Sequence, residues 1–371
     1  MGMGNRLFQM GCFLAVGFAL TLQAYNAAPY PSDKITYLKG NSTALGTEQG
    51  KLLRKEITEL RDGWLNPVVK TIPGISSWFI HSKVSHMEPF VSEDQVAEMQ
   101  ALATELGLPY REMVLASAIP DVLELINKPF GCSTLVVSPT RSKNKGMIYG
   151  RNLDYKRSDL LRQYWKPVVF EKTGKNKILS LHLPGMVGVV TAINDKRVMM
   201  SRLTSYSSDK TSKGMPSLLL FRKVLEEATT AREAIQLYLK APRTVAINIM
   251  ISDGKEAFVL EVSQNLSVVR EVNSSGVLYA ANHYVDPAMK GTHKPDKRWP
   301  VLSRYDKTRD LLTPDNVLET MKLSGQEGQN ILVALFDYSS QKLVFGSDPE
   351  TKGISALGKL YELDLPTVFG E

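Results

Sequence analysis

Gly131-Cys132-Ser133-Thr134-Leu135-Val136-Val137-Ser138, continued by Gly150-Arg151-Asn152-Leu153-Asp154-Tyr155, is the stretch from which the rest of this chain is read. The first run is short, apolar and β-branched, which predicts a strand that opens on a cysteine. Pro139–Gly146 is polar and reads as the loop of a hairpin. Met147–Asp154 is then the second strand, and it ends in an Arg/Asp pair.

The texture differs on the two sides of Cys132. Residues 29–131 read as helical. Ser92 and Gln95 have capping-box spacing. Val96, Met99, Leu102 and Leu106 follow at helical intervals, and Gly107-Leu108-Pro109 stops the helix. Leu52, Leu53, Ile57, Leu60 and Trp64 suggest an earlier amphipathic helix, and Glu112–Asn127 a third. Lys128-Pro129-Phe130-Gly131 breaks the pattern. After Cys132, strands are expected at Val168–Lys172, Ile178–Leu183, Val187–Ile193, Val198–Leu203, Ala246–Ser252, Ala257–Val262, Ser267–Glu271, Val277–Ala280, Ile331–Asp337 and Lys342–Phe345. Helices are expected at Ser217–Ala228, Ala231–Lys240, Trp299–Leu312 and Asp315–Ser324. Antiparallel blocks alternating with paired helices indicate an α+β chain with helices packed on stacked sheets.

The N-terminus has the layout of an export signal. Arg6 is the only charge before Asp33, Met10–Leu22 is uncharged, and small residues follow at Ala24, Ala27 and Ala28. The apolar run is shorter than the roughly 18–20 residues of a membrane span. Residues 1–28 are therefore expected to be a signal peptide of a secreted or periplasmic protein, lysosomal or extracellular in a eukaryotic host. Asn41, Asn265 and Asn273 begin Asn-x-Ser/Thr triplets, which are glycosylation acceptors only in such a host.

Charge is uneven. The chain carries +7 in all, with +1 before residue 29. Residues 29–131 hold 13 Asp/Glu against 10 Lys/Arg, so residues 132–371 carry +9. A basic balance suits anionic ligands or an anionic membrane surface, or a solvated face. No basic run interleaved with aromatics supports nucleic acid. No HExxH or Cys/His cluster supports a metal, and no cofactor motif is present.

The sequence has two cysteines, Cys12 and Cys132. Removal of the leader leaves a single thiol, which in an exported chain is a candidate reactive group. A thiolate attacks and a thiol does not, so the cysteine needs a base or a cation. A cysteine at a new chain terminus brings its own base, because an α-amine has a pKa near 8, against about 8.5 for the thiol. Gly131 leaves its carbonyl open to attack. The expected events are attack of Cys132 on the Gly131 carbonyl, release of the front segment from a thioester, and reuse of the sulfur on substrate amides.

Arg151 and Asp154, on the second strand, are candidate partners of the thiolate and the amine. On spacing alone they are surface charges. Asn282, in Ala281-Asn282-His283-Tyr284, is a candidate oxyanion donor. Arg304, in Leu302-Ser303-Arg304-Tyr305, is a second candidate cation.

Together these residues resemble the Ntn-hydrolase group that holds choloylglycine (bile salt) hydrolases, penicillin V acylases, acid ceramidase, N-acylethanolamine acid amidase and the isopenicillin-type acyltransferases. The likeness covers most of residues 132–310. It rests on Cys132-Ser133-Thr134-Leu135 and Gly150-Arg151-Asn152-Leu153-Asp154. Met250-Ile251-Ser252-Asp253-Gly254-Lys255 with Val259-Leu260-Glu261, Ala281-Asn282 and Ser303-Arg304-Tyr305 add to it. The resemblance implies a four-layer αββα sandwich over 132–371 behind a helical pro-segment over 29–131 that stays associated with it. It implies Cys132 as nucleophile after autocleavage between Gly131 and Cys132, Arg151 and Asp154 as its partners, Asn282 as oxyanion donor and Arg304 as supporting cation. It also implies a small N-acyl amide or lipid-like substrate, hydrolysed or used in acyl transfer. The chain departs at Thr204, where bile salt hydrolases carry a further Asn. That argues against a bile-salt specialist and makes Thr204 a candidate substrate-binding position. Two other readings compete: a Cys-His protease-like hydrolase using His182 or His283, and an exported binding protein in which Cys132 is simply buried.

Overall fold

The computed structural model describes residues 26–72, 74–127, 131–155, 159–347 and 354–371. Most of the expected leader, with Cys12, and Lys128-Pro129-Phe130 lie outside the described residues.

The front segment begins with two short strands, β1 (Ala27–Pro29) and β2 (Thr36–Gly40). Helices α1 (Ser42–Leu52), α2 (Arg54–Leu60), α3 (Asn66–Thr71), α4 (Ser77–Met87), α5 (Glu93–Leu106) and α6 (Tyr110–Leu125) follow. The amphipathic helix expected around Leu52–Trp64 is broken. It continues from α2 as one widened π turn, Arg61–Leu65, a form that often marks a functional wall. Ser92 stands at the N-cap of α5, but its hydroxyl donates to Gln95 Oε1 at 3.1 Å and makes no capping bond to the backbone; Gly107 closes that helix in the left-handed region at φ 69°.

The remaining strands are β3 (Gly131–Val137), β4 (Ile148–Asp154), β5 (Lys166–Lys172), β6 (Ile178–His182), β7 (Thr191–Asn194), β8 (Met199–Thr204), β9 (Ile247–Ser252), β10 (Ala257–Val262), β11 (Ser267–Glu271), β12 (Val277–Ala280), β13 (Asn330–Asp337), β14 (Lys342–Gly346) and β15 (Leu360–Asp364). Helices α7 (Asp159–Tyr164), α8 (Ser217–Glu227), α9 (Ala231–Lys240), α10 (Trp299–Leu302), α11 (Pro314–Ser324) and α12 (Leu365–Phe369) complete the chain. One sheet has the order β1-β15-β14-β13-β4-β3-β12 and the other β11-β10-β9-β8-β7-β6-β5-β2.

The expected four layers are present. α11 packs on β4, β13 and β3 of the first sheet, while α8 and α9 pack on β7, β9 and β10 of the second. The sheets face each other through β3 against β8 and β12 against β10. The front segment is not wholly helical: β2 runs parallel to β5 at one edge and β1 parallel to β15 at another. Its apolar side chains, such as Met99, Leu102 and Val122, belong to the same buried cluster as Cys132 and Met250. The helix expected over Trp299–Leu312 is a correction. Only Trp299–Leu302 is α-helical, followed by a 3-10 turn at Ser303–Tyr305, because the polar stretch beyond it has no apolar face to bury.

Among the described residues no helix is long and apolar enough to cross a membrane.

Candidate active site

The hairpin predicted around Cys132 forms β3 and β4. Gly131 stands opposite Asp154, Cys132 opposite Leu153, Ser133 opposite Asn152, and Thr134 opposite Arg151. The period of two then sorts the side chains. Cys132 and Leu153 enter the core shared with the second sheet, and Arg151 reaches Thr191 and Arg202 there. Ser133 and Asn152 face α11, where Asn152 Nδ2 donates to the Met321 carbonyl at 2.8 Å and to Ser324 Oγ at 3.1 Å.

Cys132 is buried, and its peptide nitrogen donates to Asn282 Oδ1 at 2.7 Å. Asn282 Nδ2 donates to the Thr204 carbonyl at 2.7 Å, which fixes the amide with its oxygen toward the Cys132 nitrogen. Arg298 joins this group from the loop before α10. Its Nη1 donates to Asp154 Oδ2 at 2.9 Å, and its Nη2 donates to Asn282 Oδ1. Asp296 holds that guanidinium, accepting from Nε at 2.8 Å and Nη2 at 2.5 Å. Asp154 also accepts from Asn330 Nδ2 at 2.9 Å. Burial raises its carboxyl above the ordinary range, against the opposing pull of Arg298 and the Asn330 bond.

Arg151 uses its donors structurally. Nε donates to Thr191 Oγ1 at 3.1 Å, Nη1 to the Asn152 carbonyl at 2.9 Å, and Nη2 to the Arg202 carbonyl at 2.7 Å. It lies two pairs along from Cys132, on the same face. Arg202 and Arg298 both lie within electrostatic reach of Cys132.

Arg304 is a correction. It lies in the 3-10 turn, donates to Tyr305 Oη at 2.6 Å and to the Asn316 carbonyl at 3.3 Å, and stacks on the Tyr305 ring. Its neighbours tie it to the start of α11, and Arg298 is the arginine that bonds Asp154 and Asn282. Thr204 ends β8. Its carbonyl anchors Asn282 and its hydroxyl accepts from Arg202 Nη1 at 3.0 Å.

Neither candidate histidine pairs with Cys132 among the described residues. His182 packs against Phe170 with ring centres 5.2 Å apart, and burial lowers its pKa to about 3. His283 packs against Trp299 at 4.6 Å, and burial lowers it as well. Among the described residues no group of three or more His, Cys, Asp or Glu is gathered to hold a metal.

Cys132 opens onto a small cavity of about 20 Å³. Leu153, Trp165, Leu183, Met186, Leu218 and Pro120 of α6 form its apolar walls, and Arg202 is its polar element. Leu183 and Met186 also line a second apolar cavity, of about 30 Å³, against Ile57, Leu60, Trp64 and Met113 of the front segment. Each has room for about one water molecule.

The sequence reading missed Arg298, Asp296, Arg202, Asp121 and Glu124. Asp296-Lys297-Arg298 reads as a surface pair in a polar loop. A signal existed for the others. Arg202 interrupts an apolar strand, and Asp121 interrupts Ala118-Ile119-Pro120 and Val122-Leu123 in an apolar helix. A charge at an inward position needs a partner.

Residues 140–315 match the family described as acyl-coenzyme A:6-aminopenicillanic acid acyl-transferase. The matched span holds Arg151, Asp154, Arg202, Asn282 and Arg298 and begins after Cys132. An N-acylethanolamine-hydrolyzing acid amidase of Caenorhabditis elegans is 24% identical over 223 residues, 57% of this chain and 62% of that protein. Protein dcd1B of Dictyostelium discoideum is 20% identical over 258 residues, 62% of this chain and 51% of that protein. The chain thus spans between half and two thirds of the length of these curated relatives. A solved structure of a C. elegans N-acylethanolamine-hydrolyzing acid amidase ortholog aligns with a TM-score of 0.45 and 19% identity, over 56% of this chain and 93% of that one. The likeness to the Ntn-hydrolase group is carried by this family match over residues 140–315.

Proposed function

We propose that this chain, similar through residues 140–315 to an acyl-transferase family of the Ntn-hydrolase group, is an exported cysteine amidase that creates its own nucleophile by cutting between Gly131 and Cys132. One observation carries the reading. The nitrogen of the bond to be cut is already held by Asn282, and Arg298 ties Asn282 to Asp154 opposite Gly131.

The thiol of Cys132 attacks the Gly131 carbonyl carbon. The C–N bond breaks, the nitrogen takes up the proton that the thiol gives up and becomes the α-amine, and Gly131 is left as a thioester on the sulfur. Water hydrolyses the thioester to the Gly131 carboxylate and the free thiol. In the second use, the α-amine takes the thiol proton as sulfur attacks a substrate amide, then gives it to the leaving amine. Water, or an acceptor amine, removes the acyl group. Asn282 Oδ1 accepts from the α-amine, Arg298 favours the negative charge that develops beside it, and Asp154 keeps Arg298 in place.

The acyl group is apolar. The wall beside Cys132 is built of Leu153, Trp165, Leu183 and Met186, and it continues between the front helices and the catalytic sheets. The substrates are linear N-acyl amides, the class named for the C. elegans relative. The cavities are small, so an acyl chain enters by parting α2 and α6 from the Leu183–Met186 turn. The front segment stays associated after the cut, because it supplies β2 beside β5 and shares the main core.

The test is mass spectrometry and gel filtration of purified wild type beside Cys132→Ala, followed by a panel of N-acyl amides of graded chain length. Expected are two wild-type chains divided at 131/132 that elute together, an undivided variant, and hydrolysis by the divided form alone. An active wild type whose chain remains whole overturns the reading.

A further inference from the structure

Arg202 is a buried cation to which the steps above give no task. Its side chain is 3% exposed, and it faces the cavity that holds Cys132. The guanidinium is held on all sides. Nε donates to Ser217 Oγ at 2.8 Å, Nη1 to Thr204 Oγ1 at 3.0 Å, and Nη2 to Glu124 Oε2 at 2.7 Å and Asp121 Oδ1 at 3.2 Å.

Both carboxylates come from α6 of the front segment, and both are buried. They are unequal. Asp121 also accepts from the Ser217 amide at 2.6 Å, from the Ser217 hydroxyl, and from Thr244 Oγ1 at 2.7 Å. Both of its oxygens are thereby bonded. Glu124 has Oε1 buried with no partner among the described residues, which suits a carboxyl that readily keeps a proton.

We infer that Arg202 acts beside Arg298 as a cation that tunes the Cys132 thiol, and that the front segment sets the strength of Arg202 through Glu124. With Glu124 neutral, Asp121 alone balances Arg202, and the arginine is the member facing the sulfur. With Glu124 ionised, the cluster is net negative and opposes the thiolate. The helix just ahead of the scission point is thus a positioning element for the nucleophile's charge, with Arg202 between them.

Burial raises Glu124 to about 8, against the pull of Arg202, so it titrates in the range of an ordinary thiol, near 8.5. The titratable and charged groups around Glu124 are Asp121 on its own helix, Arg202 on β8, Lys210 beyond β8, and Tyr206, Tyr238 and Tyr284. Lys210 Nζ donates to the Glu124 carbonyl at 2.8 Å and so grips the helix end rather than the carboxyl. Cys132 lines the same small cavity as Arg202.

The inference refines the proposed amidase site, but its measurement needs no turnover. The pH midpoint of Cys132 modification by methyl methanethiosulfonate is read on the full chain, with Cys132→Ala as the blank for Cys12. Cleavage at 131/132 is scored separately by mass, so failure of the amidase reading shows there alone. Glu124→Gln is expected to lower the midpoint by about half a unit to one unit, and Arg202→Met to raise it by about one unit or more. Arg202→Lys, which keeps the charge, stays near wild type. If Arg202→Met does not fold, Glu124→Gln carries the test. An unchanged midpoint in Glu124→Gln, or Arg202→Lys moving as far as Arg202→Met, overturns the inference.

Discussion

Arg298 shows how a single side chain draws a site together. It donates to Asp154 and to Asn282 and is braced by Asp296 on the same loop, and its own side chain is 3% exposed. A buried guanidinium between two carboxylates is favourable only while both are present, and removing it leaves Asp154 desolvated and unpaired. Arg304 lies six positions on and has an ordinary structural task at the start of α11. Arg298→Gln is therefore expected to slow scission at 131/132 by on the order of 100-fold, the scale of losing one preorganised charge partner. Arg304→Gln should leave the rate within about threefold of wild type, because its bonds are made to Tyr305 and Asn316. A time course of chain division on denaturing gels reads both. Equal slowing by the two variants would remove the distinction drawn between them.

β4 carries Arg151, Asn152 and Asp154, and its position depends on how closely α11 lies upon it. Gly150 makes that contact: a Cβ built there meets Val317 Cγ1 at 2.5 Å and the Met321 side chain beyond it. Gly150→Ala is expected to push α11 outward at a cost of about 1–3 kcal/mol, as overpacking does. Chemical denaturation measures the cost. The same shift loosens Asn152 from the Met321 carbonyl, so chain division slows as well. Strands and long helices of this layer were readable in advance, since the short apolar runs of β3 and β10 and the helical spacing in α5 are local signals. The four-residue α10 and the broken front helix were not, because their ends are set by packing against other elements.

The molecule as a whole holds buried carboxyls between the front segment and the sandwich. Glu98 of α5 is raised by burial to about 7, beside Arg222 of α8, and Glu124 of α6 to about 8, beside Arg202 of β8. Both begin from 4.5 in the unfolded chain. A carboxyl whose folded value lies above its unfolded value contributes stability that is complete below the unfolded value and is lost as pH rises through the folded one. His182 works the other way: lowered to about 3 from 6.5, it favours the fold above 6.5 and loses that contribution on acidification. The wild-type melting temperature should therefore fall between about pH 5 and 8 more steeply than that of the double variant Glu98→Gln/Glu124→Gln. Parallel slopes in calorimetry would show that these two groups do not link front segment and sandwich in this way.

Taken one residue after another, the chain announces its strands, its paired helices and the glycine-cysteine start of β3, because each of those rests on neighbours within a few positions. It also announces Cys132, Asp154 and Asn282 as candidates, and these meet around one peptide nitrogen and one guanidinium. Which arginine serves them is a different kind of fact. Arg298 lies 144 positions from Asp154, and Arg202 lies 81 and 78 positions from Asp121 and Glu124. Spacing along a chain carries no information about partners so far apart. Their choice was made when two sheets and a front segment closed on one core, where every buried charge had to find its counterpart.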